Sequence, residues 1–253
     1  MRVAAINGSP HKGEGITALI LNPFLDGLRD GGAEVELFYT KELNVNPCQG
    51  DLNCWLKTPG RCSQQDDMQW LGPKLNGADV LVLASPVYVF GVTGPLKNVL
   101  DRIIPGIEPF FELRNGHCTH PLKPGTKWGK IVLVSSCGFW EMDNFEPLAV
   151  QMQTLCRIAG AEFAGALLRP HGPAFGRMLA MGAPVGDVLE AAKAAGRQLA
   201  SGGGIQQETL SAVSRPLLSQ EECIALVNQY FRAELDKLPS ESNKAASSSN
   251  PNG

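Results

Sequence analysis

A polar loop near the start of the chain carries the residue types that bind a phosphate group. Ser9 and Thr17 supply hydroxyl donors, and Lys12 supplies a positive charge. Glycines at positions 13 and 15 allow a ligand to approach the backbone closely. Residues 7–17 therefore predict a site for a monophosphate.

The elements around this loop favour the same chemistry. An apolar run, 2–6, predicts a buried strand, and Ile16 opens a helical pattern. The first N–H groups of a helix have no partner within the helix, and the helix dipole favours an anion there. The loop has neither the spacing of a dinucleotide fingerprint nor the ending of a P-loop. An ordinary polar turn between strand and helix is the alternative, because helix N-termini favour Ser, Thr and Gly in any case.

Composition excludes several classes of function. The 253 residues carry a net charge of −3, which gives no basic surface and predicts no nucleic-acid partner. No apolar run is long enough to cross a bilayer, so no membrane association is expected. The chain starts directly in a strand without signal-peptide character, so we expect a cytoplasmic protein. Its seven cysteines are then expected as thiols, metal ligands or redox groups rather than disulfides.

Strand and helix patterns alternate along the chain, which predicts a parallel sheet with helices on both faces. Strands are predicted at 2–6, 35–39, 79–85, 130–136 and 162–168, and helices at 17–30, 68–76, 94–104, 145–159 and 186–200. We expect one domain over 1–204, a helical extension over 205–238 and a disordered tail over 239–253. The last helix starts at a capping box, Ser219 to Glu222, and continues to about Leu235.

The carboxyl ends of the predicted strands locate the binding site. Ligands of open parallel sheets bind outside these ends, at the point where the strand order reverses. The loops after strands one, three and four should therefore share one site. Their residues are 9–17, 85–94 and 136–141.

Four motifs in this order resemble a known family. They are Asn-Gly-Ser-Pro-x-Lys-x-x-Gly-x-Thr at 7–17, Pro-Cys-x-Gly…Cys-Trp…Pro-Gly-x-Cys…Asp-Asp-Met at 47–68, Ser-Pro-Val-Tyr at 85–88 and Thr-Gly-x-Leu-Lys-x-x-x-Asp-Arg at 93–102. Together they resemble the flavodoxin-like FMN-dependent NAD(P)H reductases, in the branch that contains the iron–sulfur flavoproteins, over roughly residues 1–170. The resemblance implies a doubly wound α/β fold of the flavodoxin type, with a five-stranded parallel sheet in the order 2-1-3-4-5.

The resemblance also implies which residues bind FMN. The phosphate would be held by the first loop, one edge of the isoalloxazine ring by the second loop, and the other edge by the third loop. These residues are Ser9, His11, Lys12, Gly15, Ile16 and Thr17, then Pro86, Val87 and Tyr88, and then Ser136, Cys137 and Gly138. The family usually has Arg where His11 stands and Asn where Ile16 stands, so weaker FMN binding is expected.

The cysteine segment departs from the family at one position. Cys48, Cys54 and Cys62 match three of the four cysteines of the iron–sulfur members, but the second cysteine is replaced by Asp51. A [4Fe–4S] cluster ordinarily needs four thiolates, and structural zinc normally needs four protein ligands. We therefore expect no metal or cluster here, and interpret the cysteines as remnant thiols.

Other charged residues are expected to be structural. Asp66 or Asp67 should cap the helix that starts near residue 68. Asp101 and Arg102 should form a structural ion pair. His171 follows the fifth strand and is expected to be a solvated loop histidine.

The predicted phosphate loop and the family resemblance together predict an FMN-dependent oxidoreductase. It would pass hydride from NADH or NADPH through FMN to a small acceptor such as a quinone, a nitro or azo compound, or a flavin. The cofactor carries such chemistry, so no catalytic side chain is assigned, although Tyr88 is the nearest candidate as a ring contact. The alternative is a non-enzymatic electron carrier of the iron–sulfur-flavoprotein type. The resemblance implies a homodimer or homotetramer. Segment 105–129 is too long for a bare connection, so we expect it, together with segment 46–66, to cover the flavin of its own or of a neighbouring subunit.

Overall fold

The core of the protein, for which we describe a computed structural model, is a parallel β-sheet. Its strand order is β2-β1-β3-β6-β7, and every neighbouring pair of strands is parallel. The strands are β1 (Arg2–Asn7), β2 (Glu34–Tyr39), β3 (Val80–Pro86), β4 (Glu112–Arg114), β5 (His117–Thr119), β6 (Lys130–Ser136) and β7 (Glu162–Arg169). Strands β3 and β6 are buried almost throughout, as expected for strands covered on both faces.

The predicted α/β fold with a five-stranded parallel sheet is confirmed. The strand numbers differ from the predicted order 2-1-3-4-5 because two short strands, β4 and β5, precede the fourth strand of the sheet. They pair with each other in an antiparallel hairpin. Both strands have only three residues, too few for a clear alternation of apolar and polar side chains in the sequence.

Helices connect the strands. They are α1 (Ile16–Asp30), α2 (Asn53–Leu56), α3 (Met68–Asn76), α4 (Gly94–Asp101), α5 (Glu146–Ala159), α6 (Gly172–Ala180), α7 (Gly186–Ala200), α8 (Gln207–Ser214) and α9 (Gln220–Asp236). The long helices lie close to the predicted positions, whereas the sequence did not predict α2, α6 and α8. The predicted capping box is confirmed, because Ser219 Oγ accepts from the amide of Glu222, whose carboxylate accepts from the amide of Ser219.

Helices cover both faces of the sheet. Ala4 and Ile6 of β1 belong to a buried cluster with apolar residues of α3, α4 and α5. Val3 and Ala5, which alternate with them, point to the opposite face. On that face α1 contacts the sheet, and α7 packs against α1.

Two glycines set how closely α1 and α7 approach each other. A Cβ atom at Gly27 would lie 1.9 Å from the carbonyl oxygen of Lys193, and one at Gly196 would lie 2.1 Å from the carbonyl oxygen of Phe24. Real Cβ atoms do not tolerate such distances, so the backbones of the two helices touch where both residues lack a side chain. This contact fixes α1, and hence the loop that precedes it.

The structure describes residues 1–238. These residues separate into two compact units, 1–215 and 216–238. The predicted division at residue 204 stays a prediction, and the predicted disorder of 239–253 lies outside the described residues. Among residues 1–238, no helix combines the length and the hydropathy needed to cross a membrane.

The helix contact predicts the effect of one added methyl group. We expect Gly196→Ala to lower the free energy of unfolding by about 2 kcal/mol, because the new Cβ must push α1 and α7 apart. Urea unfolding at constant pH measures this change.

Gly186→Ala is the matched control on the same helix, because nothing lies within 4 Å of a Cβ at that position. Its effect should stay within about 1 kcal/mol, the scale of helix propensity alone. Equal losses in the two variants would contradict the close helix contact.

Candidate functional site

The loop after β1 is shaped by its own side chains. The Oδ1 atom of Asn7 accepts from the amide of Ser9 at 2.8 Å, and its Nδ2 atom donates to the carbonyl of Lys12 at 3.1 Å. Lys12 adopts the left-handed backbone conformation, with φ of 50°. The loop therefore folds back over the end of β1 before α1 begins.

Two glycines in this loop leave no room for a side chain. A Cβ at Gly15 would lie 2.7 Å from Ser9 Oγ, and one at Gly8 would lie 2.7 Å from Thr93 Oγ1. Thr93 Oγ1 also donates to the carbonyl of Gly8 at 2.8 Å. The loop after β1 is thus attached to the start of α4.

The N-terminus of α1 is free of a side-chain cap. Its N-cap residue is Gly15, and the first-turn amides of Ile16 and Thr17 have no acceptor within the helix. Thr17 Oγ1 lies 2.8 Å from Ser136 Oγ, and both side chains are buried. Amides and hydroxyls thus converge at a helix N-terminus, which is the donor set that a phosphate group prefers.

The two basic residues of the loop do not contribute equally to this donor set. Lys12 Nζ forms an exposed ion pair with Glu42, at 2.9 Å, and hydrogen bonding to Glu42 raises the pKa of the lysine. His11 is exposed, and its amide donates to Ser9 Oγ at 3.3 Å. The positive charge expected at the phosphate is therefore already paired with a carboxylate.

Ile16 has a packing role that the sequence did not reveal. A Cβ at Gly172 would lie 2.6 Å from Ile16 Cγ2, and one at Gly176 would lie 2.5 Å from Ile16 Cδ1. The isoleucine side chain therefore lies against α6 where two glycines, one helical turn apart, leave space. The four-residue spacing of these glycines was the available signal for α6.

The loops after β3 and β6 lie side by side, as predicted. Pro86 is in register with Ser136, and the amide of Val87 donates to the carbonyl of Ser136 at 2.8 Å. Tyr88 is half exposed and begins a tight turn, in which its amide and carbonyl both bond to Gly91. The predicted ring contacts thus share one edge of the sheet with the phosphate loop.

Cys137 and Gly138 differ in their surroundings. Cys137 is buried, and burial raises the pKa of its thiol to about 11, so the thiol is neutral. Its Sγ donates to the carbonyl of Phe139 at 3.3 Å. Gly138 is exposed, and a Cβ there would meet no atom within 4 Å. Gly138 therefore offers an open surface beside a structural cysteine.

The interpretation of His171 as a solvated loop residue is wrong. The side chain is buried, and the residue is the N-cap of α6 in the left-handed conformation, with φ of 40°. Burial, together with the charge of Arg169, lowers the pKa of His171 to about 4, so the imidazole is neutral at pH 7. Its amide donates to the carbonyl of Phe139 at 2.7 Å, which fixes the loop after β6.

Arg169 is a buried residue that sequence reasoning missed. Its guanidinium donates to the carbonyl oxygens of Val213 and Arg215, each at 2.7 Å, at the end of α8. Burial lowers its pKa to about 10, which still leaves it charged at neutral pH. Arg169 thereby anchors α8 to the end of β7.

The cysteine segment is stabilised by protein contacts. Asp51 accepts from the amide and side chain of Asn53 and, at 3.3 Å, from Ser63 Oγ. Hydrogen bonding to the Asn53 amide lowers the pKa of Asp51. Cys48 is exposed, whereas Cys54 is buried. Across residues 1–238, no three His, Cys, Asp or Glu side chains form a group that could hold a metal ion.

A buried ion pair attaches the end of this segment to the residue that follows α4. Asp66 and Arg102 form two hydrogen bonds of 2.9 Å, and both side chains are almost fully buried. Arg102 also donates to the carbonyl of Asn46 at 2.8 Å. The expected Asp101–Arg102 pair is wrong, because Asp101 pairs with Lys97 on the surface. The N-cap residue of α3 is Asp67, whose side chain makes no capping bond, whereas Asp66 accepts from the amide at residue 68 at 3.1 Å.

Segments 46–66 and 105–129 contact each other. The indole of Trp55 donates to the carbonyl oxygens of Ile104 and Ile107 at 3.3 and 3.1 Å. Its ring also packs against His120, with ring centroids 5.0 Å apart. Trp55 therefore joins the two segments, and its indole N–H is engaged by backbone acceptors.

Comparison with known proteins identifies the family. The family model for NADPH-dependent FMN reductase matches residues 1–161. The chain belongs to this family. The match contains the loops described above as far as the end of α5, whereas β7 and the residues after it lie outside it.

Curated relatives are iron–sulfur flavoproteins. One from Methanocaldococcus jannaschii is 37% identical over 115 residues, which cover 46% of this chain and 58% of that protein. Another, from Archaeoglobus fulgidus, is 34% identical over 138 residues, which cover 54% of this chain and 56% of that protein. The chain thus spans little more than half the length of the curated relatives it matches.

Solved structures share the fold at low identity. An NAD(P)H:quinone oxidoreductase from Methanothermobacter marburgensis aligns with a TM-score of 0.55 at 18% identity, covering 79% of this chain and 96% of that one. An FMN-dependent NADH-azoreductase from Bacillus anthracis, solved with FMN, aligns with a TM-score of 0.55 at 14% identity, covering 79% and 99%. At these identities the likeness establishes the flavodoxin-like fold.

FMN and an iron–sulfur cluster are the two cofactors that the family resemblance implies, and the residues of this chain suit only one of them. FMN fits, because Gly8 and Gly15 form a close-packed loop and the α1 N-terminus presents uncapped amides. A [4Fe–4S] cluster does not fit, because it ordinarily needs four thiolates, whereas Asp51 stands where the resemblance implies the second cysteine and is engaged by Asn53 and Ser63. We therefore derive no chemistry from a cluster.

The buried ion pair predicts a pH-dependent stability. Burial opposes ionisation of Asp66, but hydrogen bonds from Arg102 and from backbone amides together lower its pKa. A carboxylate with a lowered pKa stabilises the fold above its unfolded pKa of about 4, and this contribution disappears as the pH falls through the folded pKa. We expect Asp66→Asn to lower the free energy of unfolding at pH 7 by about 3 kcal/mol. The free energy of unfolding of this variant should also fall less on acidification than that of the unaltered protein.

Asp101→Asn is the matched control, because it removes an exposed pair with Lys97. Its effect on urea unfolding should be about 0.5 kcal/mol or less. If both variants lost a comparable amount of unfolding free energy at pH 7, the buried pair would stabilise the protein no more than an exposed pair does.

Proposed function

We propose that this protein is an FMN-dependent oxidoreductase that transfers hydride from NADH or NADPH to a small acceptor. Quinones, nitro or azo compounds and free flavins are the acceptor classes that suit it. The observation that carries the proposal is the N-terminus of α1, which has no side-chain cap. The hydroxyls of Thr17 and Ser136 are buried there and contact each other, and Gly15 leaves no room for a side chain in the same loop. Membership of the NADPH-dependent FMN reductase family supports the same activity.

The phosphate of FMN would be held by the loop after β1. Ser9 and Thr17 would donate through their hydroxyls, and Gly15 and Ile16 through their amides. His11 and Lys12 would lie at the solvent side of the phosphate, where the Lys12–Glu42 ion pair reduces the charge they contribute. Because amides and hydroxyls supply the binding, we expect FMN affinity to depend weakly on salt.

The isoalloxazine ring would lie between the other two loops. Pro86, Val87 and Tyr88 would line one edge, and the set Ser136, Cys137 and Gly138 would line the other. Phe90 and Phe139, each more than half exposed, would form the apolar approach to the ring. Flat aromatic acceptors match such a surface, because aromatic rings favour stacked or edge contacts.

The protein contributes position and exclusion of water rather than acid–base groups. Bound FMN supplies the group that accepts and donates hydride. The neutral Cys137 thiol and neutral His171 are buried and fix the loop after β6, so neither is assigned a proton-transfer role. Tyr88 is assigned only as a ring contact.

A homodimer or homotetramer is proposed as the working state. Segments 46–66 and 105–129, joined by Trp55, would cover the flavin of the same or a neighbouring subunit. Phe110 and Phe111 of the second segment are about three-quarters exposed, which suits such a contact. A solution mass equal to that of one chain would contradict the contact between subunits.

The proposal is tested by the visible spectrum of protein purified without oxygen, followed by anaerobic titration with NADPH and NADH. We expect the two visible bands of an oxidised flavin, which bleach on titration and return when a quinone is added. Protein that stays colourless after reconstitution with FMN would overturn the proposal. Flavin that neither nucleotide reduces, but that exchanges electrons with a ferredoxin, would favour a non-enzymatic carrier.

The phosphate cradle predicts the effect of a single methyl group. Gly15→Ala should weaken FMN binding by at least about tenfold, because its Cβ would displace the Ser9 hydroxyl from the loop. Fluorescence titration of the apoprotein with FMN measures the dissociation constant.

Gly13→Ala is the control within the same loop, because its Cβ would meet only the end of the Tyr39 side chain, with the hydroxyl oxygen at 3.3 Å. It should change FMN affinity by about threefold or less, which corresponds to about 0.7 kcal/mol. Unchanged affinity in Gly15→Ala would place the phosphate elsewhere.

A further inference from the structure

The cysteine segment contains a compact loop between Cys54 and Cys62. The Thr58 hydroxyl lies 3.2 and 2.8 Å from the carbonyl oxygens of the residues directly before these two cysteines. Gly60 reverses the chain with φ of 84°, and its amide donates to the carbonyl of Cys54 at 3.0 Å. These contacts draw the backbone at the two cysteines together, which is what a disulfide between them requires.

The two cysteines differ in their access to solvent. Cys54 is buried, whereas Cys62 is partly exposed and lines a surface cavity of about 410 Å³ together with Arg61 and Ser63. Burial raises the pKa of the Cys54 thiol, and charge on Cys62 and Cys48 raises it further. Such interactions require the sulfur atoms to lie near one another. A small solute can therefore reach Cys62, while Cys54 adjoins it on the protein side.

A buried guanidinium lies beside Cys62. The Nη atoms of Arg102 donate to Asp66 and to the carbonyl of Asn46, whereas its buried Nε atom has no hydrogen-bond acceptor among residues 1–238. Burial opposes the charge of Arg102, but Asp66 and Cys62 together raise its pKa. The guanidinium is therefore charged and keeps one donor beside the sulfur. Such a donor stabilises negative charge that develops on a departing oxygen.

We propose that Cys62 and Cys54 are a redox-active pair that hydrogen peroxide oxidises to a disulfide. Cys62 is the residue that meets the peroxide, since it lines the cavity, and Cys54 completes the disulfide. Cys48 is exposed and lies outside the loop that Thr58 holds together, so it is not assigned to the pair.

The reaction takes two steps, which balance without a further reactant. The Cys62 thiolate attacks one oxygen of the peroxide and the O–O bond breaks. The hydroxide that leaves takes up the proton that Cys62 released, and Cys62 becomes a sulfenic acid. The Cys54 thiol then attacks this sulfur, so that an S–S bond forms and the S–O bond breaks. The second hydroxide leaves as water with the proton of Cys54, and two electrons have passed from the thiols to the peroxide.

The pair is independent of the reductase activity proposed above, because the reaction needs neither FMN nor a nicotinamide nucleotide. A low-molecular-weight dithiol would return both cysteines to thiols by exchange. A failure of either proposal therefore leaves the other standing.

The first test is a disulfide map of the unaltered full chain. The reduced protein is treated with one equivalent of hydrogen peroxide, without NADH or NADPH, and its remaining thiols are blocked before digestion with trypsin. Trypsin cleaves after Lys57 and Arg61, so Cys62 and Cys54 lie on different peptides. We expect the intact mass to fall by two hydrogen atoms, and the two peptides to stay joined until a dithiol separates them.

The second test identifies the partner of Cys62, because Cys48 lies on the same tryptic peptide as Cys54. Cys48→Ser should give the same joined peptides, whereas Cys54→Ser should not. In Cys54→Ser the reaction should stop at the sulfenic acid of Cys62, which a cyclic 1,3-diketone traps. Cys62→Ser should abolish both the joined peptides and the trapped product.

Cys118→Ser is the matched control, because Cys118 is exposed but lies outside the segment. It should form the disulfide as the unaltered chain does. Peroxide that oxidises only Cys48 or Cys118, or that leaves every thiol unchanged, would overturn the proposal. Joined peptides in Cys54→Ser but not in Cys48→Ser would also overturn it. Circular dichroism checks that each variant is folded, and the map of the unaltered chain needs no substitution.

Discussion

The in-register pairing of β1, β3 and β6 is the constraint on which the rest of the structure depends. Asn7 pairs with Ala84, and Pro86 pairs with Ser136, so three loops that are far apart in sequence begin at one edge of the sheet. Short polar contacts then join these loops: Thr17 to Ser136 and Thr93 to Gly8. A shift of one strand by one residue would invert its side chains between the two faces and separate the loops.

Close backbone approach gives the site its shape. Glycines allow α1 to touch α7, allow the loop after β1 to close on Ser9, and allow Ile16 to pack against α6. The groups that converge at the N-terminus of α1 are consequently amides and buried hydroxyls, while the basic side chain of Lys12 is paired with Glu42. The site thus differs from one built on an arginine fork, in which charge supplies much of the affinity.

Contacts between protein groups hold the cysteine segment in place. Asp51 holds the turn before α2, Trp55 attaches the segment to residues 104–107, and the Asp66–Arg102 pair closes its base. Separating the two side chains would leave a buried charge without a partner, which is strongly unfavourable. The ion pair therefore holds the segment firmly although most of its residues are polar.

The sequence by itself determined the alternation of strands and helices, the three loops of the candidate site and the capping box of α9. These follow from local signals: apolar periodicity, glycine and proline positions, and hydroxyl residues at helix starts. The tertiary structure decided which partner each charged or polar side chain has. Arg102 pairs with Asp66 rather than with its neighbour Asp101, and His171 is buried rather than solvated. Those outcomes depend on contacts between residues distant in sequence, and local pattern carries no information about which distant residue will lie within hydrogen-bonding distance.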